Sequence, residues 1–321
     1  MSKGTVLVTP RSFGTGRIPV EEVLSAAGFR VVRGSTRHDL AELRVALADA
    51  VGWIAGTAPV SSDHLDAAPR LRVLARYGVG VDNVDLTAAS VRGVVVTNTP
   101  AANSDAVADL AVALLLAALR GLPAGDRSVR AGSWQVSRGR ELGHLTLGIV
   151  GLGRIGQGVA RRVRGFGTTV LGHDPFLEPA RFGELDVRPV DLGELTRAAD
   201  AVSLHAPGGR LLVDRAWLAQ AKPGLLLVNT ARADLVDEHA VAEALRTGRL
   251  AGYAADTLST EGARDTSPLL DPDLADRVVL TPHLGAQTTE AVDRMGATAV
   301  GCVVDVLAGR APKHPVSLPA I

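Results

Sequence analysis

The sequence predicts a parallel α/β protein of two domains, on three observations. Short apolar strand-like runs alternate with helix-like segments from one end to the other, a pattern that belongs to parallel sheets covered by helices. The chain has 321 residues, about twice the usual domain size. The alternation is broken once, after Pro100, by "PAANSDAVADLAVALLLAALR", a long apolar helix pattern with proline, asparagine and serine at its start and "GLPAG" as its stop.

Before that break, residues 5–9 read as a strand, 20–27 as a helix stopped by Gly28, 30–33 as a strand and 40–50 as an amphipathic helix. Strands at 52–55, 71–77 and 94–97 follow. After the break a second series places strands at 147–150, 169–172, 201–204, 225–228, 252–255 and 278–280. A closing helix at 288–307 is long enough to return to the first domain.

Composition excludes several classes. Hydrophobic residues make up 46%, ample for real cores, and 34 basic against 34 acidic side chains leave no net charge, so a nucleic-acid binder held by counterion release is not expected. Cys302 is the only cysteine, which forbids intrachain disulfides and points to a reducing, cytoplasmic setting. The longest apolar run, 110–119, is about half the length a membrane span needs. No signal-peptide core precedes the first strand.

The segment "LLLVNTARADLVDE" poses the functional question, because it delivers Arg232 where a buried strand stops. Strand C-termini of parallel sheets open onto the ligand crevice, so a guanidinium there suits a carboxylate; a solvated loop arginine is the plain alternative.

"TLGIVGLGRIGQGVARRVRGFGTTVLGHDPF" carries the cofactor signal. A strand runs into Gly151, Gly153 and Gly156, a helix follows, and a second strand ends at Asp174, 21 residues after Gly153. Gly151 makes the tight turn, Gly153 admits a pyrophosphate to the backbone, and Gly156 lets helix meet strand. The phosphates then face the N–H groups of a helix that opens with Arg154 and Ile155. An acid at 174 accepts from the adenosine ribose and repels a 2′-phosphate, so NAD is expected over NADP. Arg181, in the next loop, is the competing cation.

Asp256 and Glu261 follow one strand and His283 another, in the same half of the chain. Oxidising an alcohol by hydride transfer needs a base for the hydroxyl proton and a cation for the carboxylate and carbonyl. His283 suits the first, oriented by Glu261, and Arg232 the second.

These residues, with "RYGVGVDNVD", "NTPAAN", "GIVGLGRIG", "LHAP", "KPGLLLVNTAR" and "TPHLGAQT" in order over essentially the whole chain, resemble the D-isomer-specific 2-hydroxyacid dehydrogenases. The resemblance implies two Rossmann-like domains: an NAD-binding domain at 99–286 inserted into a smaller, flavodoxin-like substrate domain at 1–98 plus 287–321. It implies Arg232, Glu261 and His283 as the catalytic set. Asp256 would hold the nicotinamide carboxamide, with Thr230, His205, Pro207 and Gly285 lining the cofactor. The backbone of Val79 and Gly80 would cradle the substrate carboxylate, and a homodimer joined through the NAD-binding domain is implied.

Three departures stand out: Ala233 and Asp234 replace the usual glycines after Arg232, "LHAPGGRLLVD" is shorter than usual and lacks threonines, and Gly262 replaces proline. Arg11 and Arg76 are two cations suited to a second anionic group, favouring a phosphorylated or dicarboxylic D-2-hydroxy acid such as 3-phosphoglycerate. Against this, Ala55 and Gly56 stand where phosphoglycerate enzymes carry a basic residue. The competing readings are an NAD-sensing, corepressor-like protein of the same fold and a formate dehydrogenase.

Overall fold

The structure, a computed structural model, describes residues 3–260 and 267–317. The chain divides into two compact units, Met1–Asn103 with Ala286–Ile321, and Ser104–Gly285.

The first unit opens with β1 (Thr5–Val8), α1 (Val20–Ala26), β2 (Arg30–Arg33), α2 (Leu40–Asp49) and β3 (Ala50–Ala55). It continues with α3 (Ser62–Asp66), β4 (Val73–Arg76), α4 (Leu86–Val91) and β5 (Val95–Thr97). The strands form a parallel sheet in the order β2-β1-β3-β4-β5. All residues of β1, β3 and β4 are buried, as expected of strands covered on both faces. Asp39 caps α2 by accepting from Ala41 and Glu42 N–H, and Asp85 caps α4 through Ala88 N–H.

The second unit begins with the long apolar helix α5 (Ser104–Arg120) and α6 (Leu122–Arg130). Between them Gly121 adopts φ 59°, and the axes diverge by 61°. Eight α5 residues are buried, and among the described residues no single helix is long and apolar enough to cross a membrane. There follow β6 (Thr146–Val150), α7 (Arg154–Val163), β7 (Thr169–His173), α8 (Pro179–Leu185), β8 (Arg188–Pro189), α9 (Leu192–Ala198) and β9 (Ala201–Leu204). The unit closes with α10 (Arg215–Gln220), β10 (Leu225–Asn229), α11 (Glu238–Arg246), β11 (Leu250–Ala255) and β12 (Val278–Leu280). Its parallel sheet has the order β12-β11-β10-β9-β6-β7-β8. The order reverses between β6 and β9, the switch point where ligands of such sheets bind.

The final helix, α12 (Thr289–Leu307), belongs to the first unit. Thr288 caps it, Tyr77 Oη donates to the Val292 carbonyl at 3.1 Å, and Arg72 donates to Val306 and Leu307 carbonyls. Gly52 in β3 lets it come close, since a Cβ there would stand 3.2 Å from Val303.

A buried polar cluster ties the carboxyl ends of β1 and β3 together. Ser61 N–H donates to His64 Nδ1 at 3.2 Å, so that nitrogen carries no proton and Nε2–H donates to the His38 carbonyl at 2.7 Å. His38 Nδ1 faces the Pro59 carbonyl at 3.1 Å, which can only accept, so Nε2 accepts from Thr9 Oγ1 at 2.7 Å. Thr9 Oγ1 in turn accepts from Trp53 Nε1 and Gly56 N–H. Every group is satisfied by neutral imidazoles. Burial pushes the His38 pKa down to about 4, and His64 and Arg76 push the same way.

Because the folded pKa lies below the unfolded value, the unfolded chain binds the extra proton between them, and this stabilisation is lost as pH falls from about 6.5 toward 4. Denaturant titration of His38→Gln should therefore show the stability difference between pH 7 and pH 4.5 shrinking by about 2 kcal/mol relative to the parent. An unchanged difference would place the acid sensitivity elsewhere.

Candidate active site

The turn from β6 into α7 is built by its glycines. Gly151 has φ 89°, and a Cβ there would lie 2.7 Å from the His205 carbonyl carbon. A Cβ on Gly156 would stand 2.0 Å from the Gly151 carbonyl oxygen, so helix and strand meet only without it. At Gly153, by contrast, nothing lies within 4 Å of the Cβ position, and this residue caps α7 without a side-chain bond. The N–H groups at Arg154 and Ile155 thus begin a helix with an open approach, which fits a pyrophosphate.

Asp174 follows β7. Its Oδ2 accepts from Leu152 N–H at 2.7 Å and its Oδ1 from Phe176 N–H at 2.9 Å, which fixes the carboxylate beside the glycine turn with lone pairs left for ribose hydroxyls. Arg181 is engaged elsewhere, ion-paired with Glu184 and donating to Gln157 Oε1.

Three buried polar atoms at successive strand ends make no hydrogen bond: His205 Nδ1 after β9, Thr230 Oγ1 after β10 and Thr257 Oγ1 after β11. Burial lowers the His205 pKa to about 4, so the ring is neutral, with Nε2 2.8 Å from Ser203 Oγ. Unpartnered buried groups on adjacent strands are unusual, and a polar ligand such as the amide and ribose of a dinucleotide would satisfy them. Pro207 follows in the same loop and is exposed.

Arg232 is presented by a turn that Asn229 shapes. The fully buried Asn229 side chain donates to the Arg232 carbonyl at 2.8 Å and accepts from Ala231 N–H at 3.0 Å. Arg232 itself is half-buried and donates to the Ala231 carbonyl.

Asp256, 3% exposed, governs the loop that carries His283. Its Oδ1 accepts from Leu284 N–H at 2.7 Å and Thr281 Oγ1 at 2.5 Å, and its Oδ2 from Gly285 N–H at 2.8 Å. A Cβ on Gly285 would come within 3.0 Å of that oxygen. His283 sits at the apex with φ 55°, a left-handed conformation a non-glycine residue holds only where its surroundings impose it. Glu261 lies outside the described residues. The segments on either side of it are held by the buried Glu238, which accepts from Ser259 N–H and Oγ and from Ser267 Oγ.

In the first unit, Val79 and Gly80 follow β4 in a loop fixed by Thr99 N–H to the Gly78 carbonyl and Asn98 Nδ2 to the Val79 carbonyl. Arg76 is buried, donates to the Tyr77 carbonyl, and packs its guanidinium on Gly78. Arg11 differs. It is the exposed side chain between buried Pro10 and buried Phe13, on a loop whose Pro10 and Phe13 carbonyls accept from Arg33. Phe13 meets Tyr77 edge-on, ring centres 5.8 Å apart.

Sequence reasoning missed Asn229, Glu238, Thr281 and Gln157, which act on neighbouring segments rather than on a ligand. The one available signal was the polar residue within or just after an otherwise apolar strand, which singles out Asn229 and Thr281.

The family model described as "D-isomer specific 2-hydroxyacid dehydrogenase, NAD binding domain" matches residues 112–285. The D-3-phosphoglycerate dehydrogenase of Mycobacterium tuberculosis (strain ATCC 25618 / H37Rv) is 46% identical over 255 residues, 78% of this chain and 48% of that protein. The enzyme of that name from Methanocaldococcus jannaschii is 38% identical over 297 residues, 91% of this chain and 56% of that protein. The chain thus spans about half the length of the curated relatives it matches. Among solved structures, the TT0316 protein from Thermus thermophilus superposes with a TM-score of 0.87 at 38% identity, covering 98% of this chain and 100% of that one. The D-lactate dehydrogenase from Aquifex aeolicus, complexed with NAD and lactic acid, gives 0.86 at 25% identity, covering 98% and 100%.

Asp256→Ala strands two amide N–H groups and a hydroxyl, at a cost of about 3 kcal/mol. Denaturation should report that loss, and amide exchange at Leu284 and Gly285 should accelerate. Unchanged protection at both amides would contradict the clamp.

Proposed function

Because the chain belongs to the D-isomer specific 2-hydroxyacid dehydrogenase family, we propose that it interconverts a D-2-hydroxy acid and a 2-oxo acid with NAD. One observation carries the reading: the open glycine turn, the unpartnered His205, Thr230 and Thr257, and the Arg232 and His283 loops all follow strands of one parallel sheet at their carboxyl ends. NAD held by the N–H groups of Arg154 and Ile155 and by Asp174 would supply the hydride acceptor for oxidation of the hydroxy acid, and its reduced form the hydride donor for the reverse reaction.

The chain's own residues do the rest. Arg232 binds the substrate carboxylate and polarises the oxo group, a task for which a planar guanidinium has the right fork of donors. In oxidation His283 takes the hydroxyl proton, and in reduction it returns one, with Glu261 stabilising the imidazolium. Asp256 keeps His283 in place, and its remaining lone-pair capacity suits the nicotinamide amide. Val79 and Gly80 lie in a glycine loop of the first unit whose backbone N–H groups suit an anion, while Asp174 selects NAD over NADP by charge.

The substrate we favour carries a second acidic group, a phosphate or carboxylate. The D-3-phosphoglycerate dehydrogenases among the relatives support this, as does Arg11, exposed on the loop whose Phe13 packs edge-on against Tyr77. Arg76 braces the cradle backbone from within. A homodimer joined through the second unit is supported by Trp134 and Val136, 82% and 96% exposed close together on the stretch after α6, since neighbouring exposed apolar side chains can mark an interaction site.

Oxidation of NADH by the parent, followed by absorbance with a panel of 2-oxo acids, tests the reading; no turnover with any of them would sink it. His283→Ala should lower kcat by a factor of about 10² to 10⁴ and leave NADH binding intact. Asp174→Ala should weaken NADH binding while narrowing the preference over NADPH, and an unchanged ratio would remove Asp174 from cofactor selection. Trp134→Ser should shift the sedimentation of the protein from dimer toward monomer.

A further inference from the structure

Resting on the reading of Arg232 as the carboxylate-binding group, we propose that Asp234 is a positioning residue that latches the loop 206–210 against the Arg232 side chain. The two sequence departures meet here. Asp234 Oδ2 accepts the Gly209 N–H at 2.6 Å. A Cβ on Gly208 would stand 2.9 Å from Asp234 Oδ1 and 3.0 Å from Arg232 Cγ. The Gly208 backbone therefore touches both side chains and forms a wall along the aliphatic stem of the arginine.

The loop is strung between the two halves of the candidate site. On one side His205 and Ala206 abut the Gly151 turn, 2.7 and 2.8 Å from its Cβ position. On the other, Leu212 and Val213 N–H donate to the Leu235 carbonyl and Asp237 N–H to the Val213 carbonyl. Among the described residues, the Gly209 bond is the only one made by the backbone N–H groups of the intervening stretch 206–211. Gly209, at φ 93°, takes a conformation that glycine adopts without strain. A short loop so lightly tied depends on its single latch, and that latch comes from the segment that presents Arg232. Where a glycine follows the arginine, the position offers no carboxylate for the latch.

Hydrogen exchange and kinetics on the full chain test this together. Asp234→Ala should accelerate amide exchange in 206–211 and lower kcat/KM for a 2-oxo acid about tenfold, mainly through KM. Its melting temperature should stay at the parent value, since Asp234 is exposed. Asp234→Asn keeps an acceptor oxygen and should restore both readouts. In an Arg232→Lys background Asp234→Ala should add little, because both changes act on one contact. Unchanged exchange in Asp234→Ala, or a loss that persists in full beside Arg232→Lys, overturns the proposal. Should the parent reduce no 2-oxo acid, the activity reading fails by itself, and the exchange of Gly209 still decides whether the latch exists.

Discussion

The carboxylate of Asp256 is the interaction on which the carboxyl edge of the seven-stranded sheet depends. A carboxylate 3% exposed is tolerable only when hydrogen bonds replace its lost water, and three donors from one loop do so. That loop holds His283 in a left-handed conformation, which is uncommon for a residue with a side chain. The buried charge and the strained histidine thus stabilise each other: the loop satisfies Asp256, and Asp256 removes the alternative loop conformations. The result is a loop with a fixed course at the carboxyl end of β12, with His283 at its apex.

Topology explains why groups so distant in sequence gather at one edge. The glycine turn leaves β6, the first strand of the unit in sequence, which sits inside the sheet with β9 on one side and β7 on the other. Chain direction reverses its lateral progress there, so the loops after β6 and β9 diverge and leave a crevice. The backbone of His205 and Ala206 fills one wall of the turn so closely that Gly151 cannot carry a side chain. Beyond it Thr230 and Thr257 follow on β10 and β11, in the order of the strands rather than at any sequence spacing.

Much of this was legible in the sequence because its causes are local. Buried parallel strands are apolar runs, and the glycine turn needs a positive φ and close backbone approaches that no other residue permits. The short helices α3 and α4, of five and six residues, carry no periodic stripe long enough to read. Side-chain scaffolds were illegible for a different reason. Asn229 and Glu238 act on segments whose proximity exists only after folding, and nothing at Glu238 distinguishes a buried clamp from an exposed helical acid. Arg76 shows the same limit. Its place before the glycine cradle is plain, yet only packing reveals that its guanidinium turns back onto Gly78.

The histidines at the strand ends show how hydrogen bonding sorts residues of one type. His64 Nδ1 accepts a backbone N–H and its Nε2–H meets a carbonyl, so both ring nitrogens are engaged. His38 is locked in the opposite tautomer by Pro59 and Thr9, and burial keeps its pKa near 4. His205 is held neutral by burial as well. A general base for hydroxyl oxidation must instead accept a proton near neutral pH and keep a nitrogen available to substrate. The rings of His38 and His64, with both nitrogens engaged, offer none to a substrate and instead fix backbone near the carboxyl ends of β1 and β3, whereas His205 keeps Nδ1 without a partner. His283 is positioned differently, through the N–H groups of Leu284 and Gly285 after it and the Thr281 hydroxyl before it. This clamp grips the backbone and hydroxyl on either side of His283, so Asp256 fixes the course of the loop that carries it.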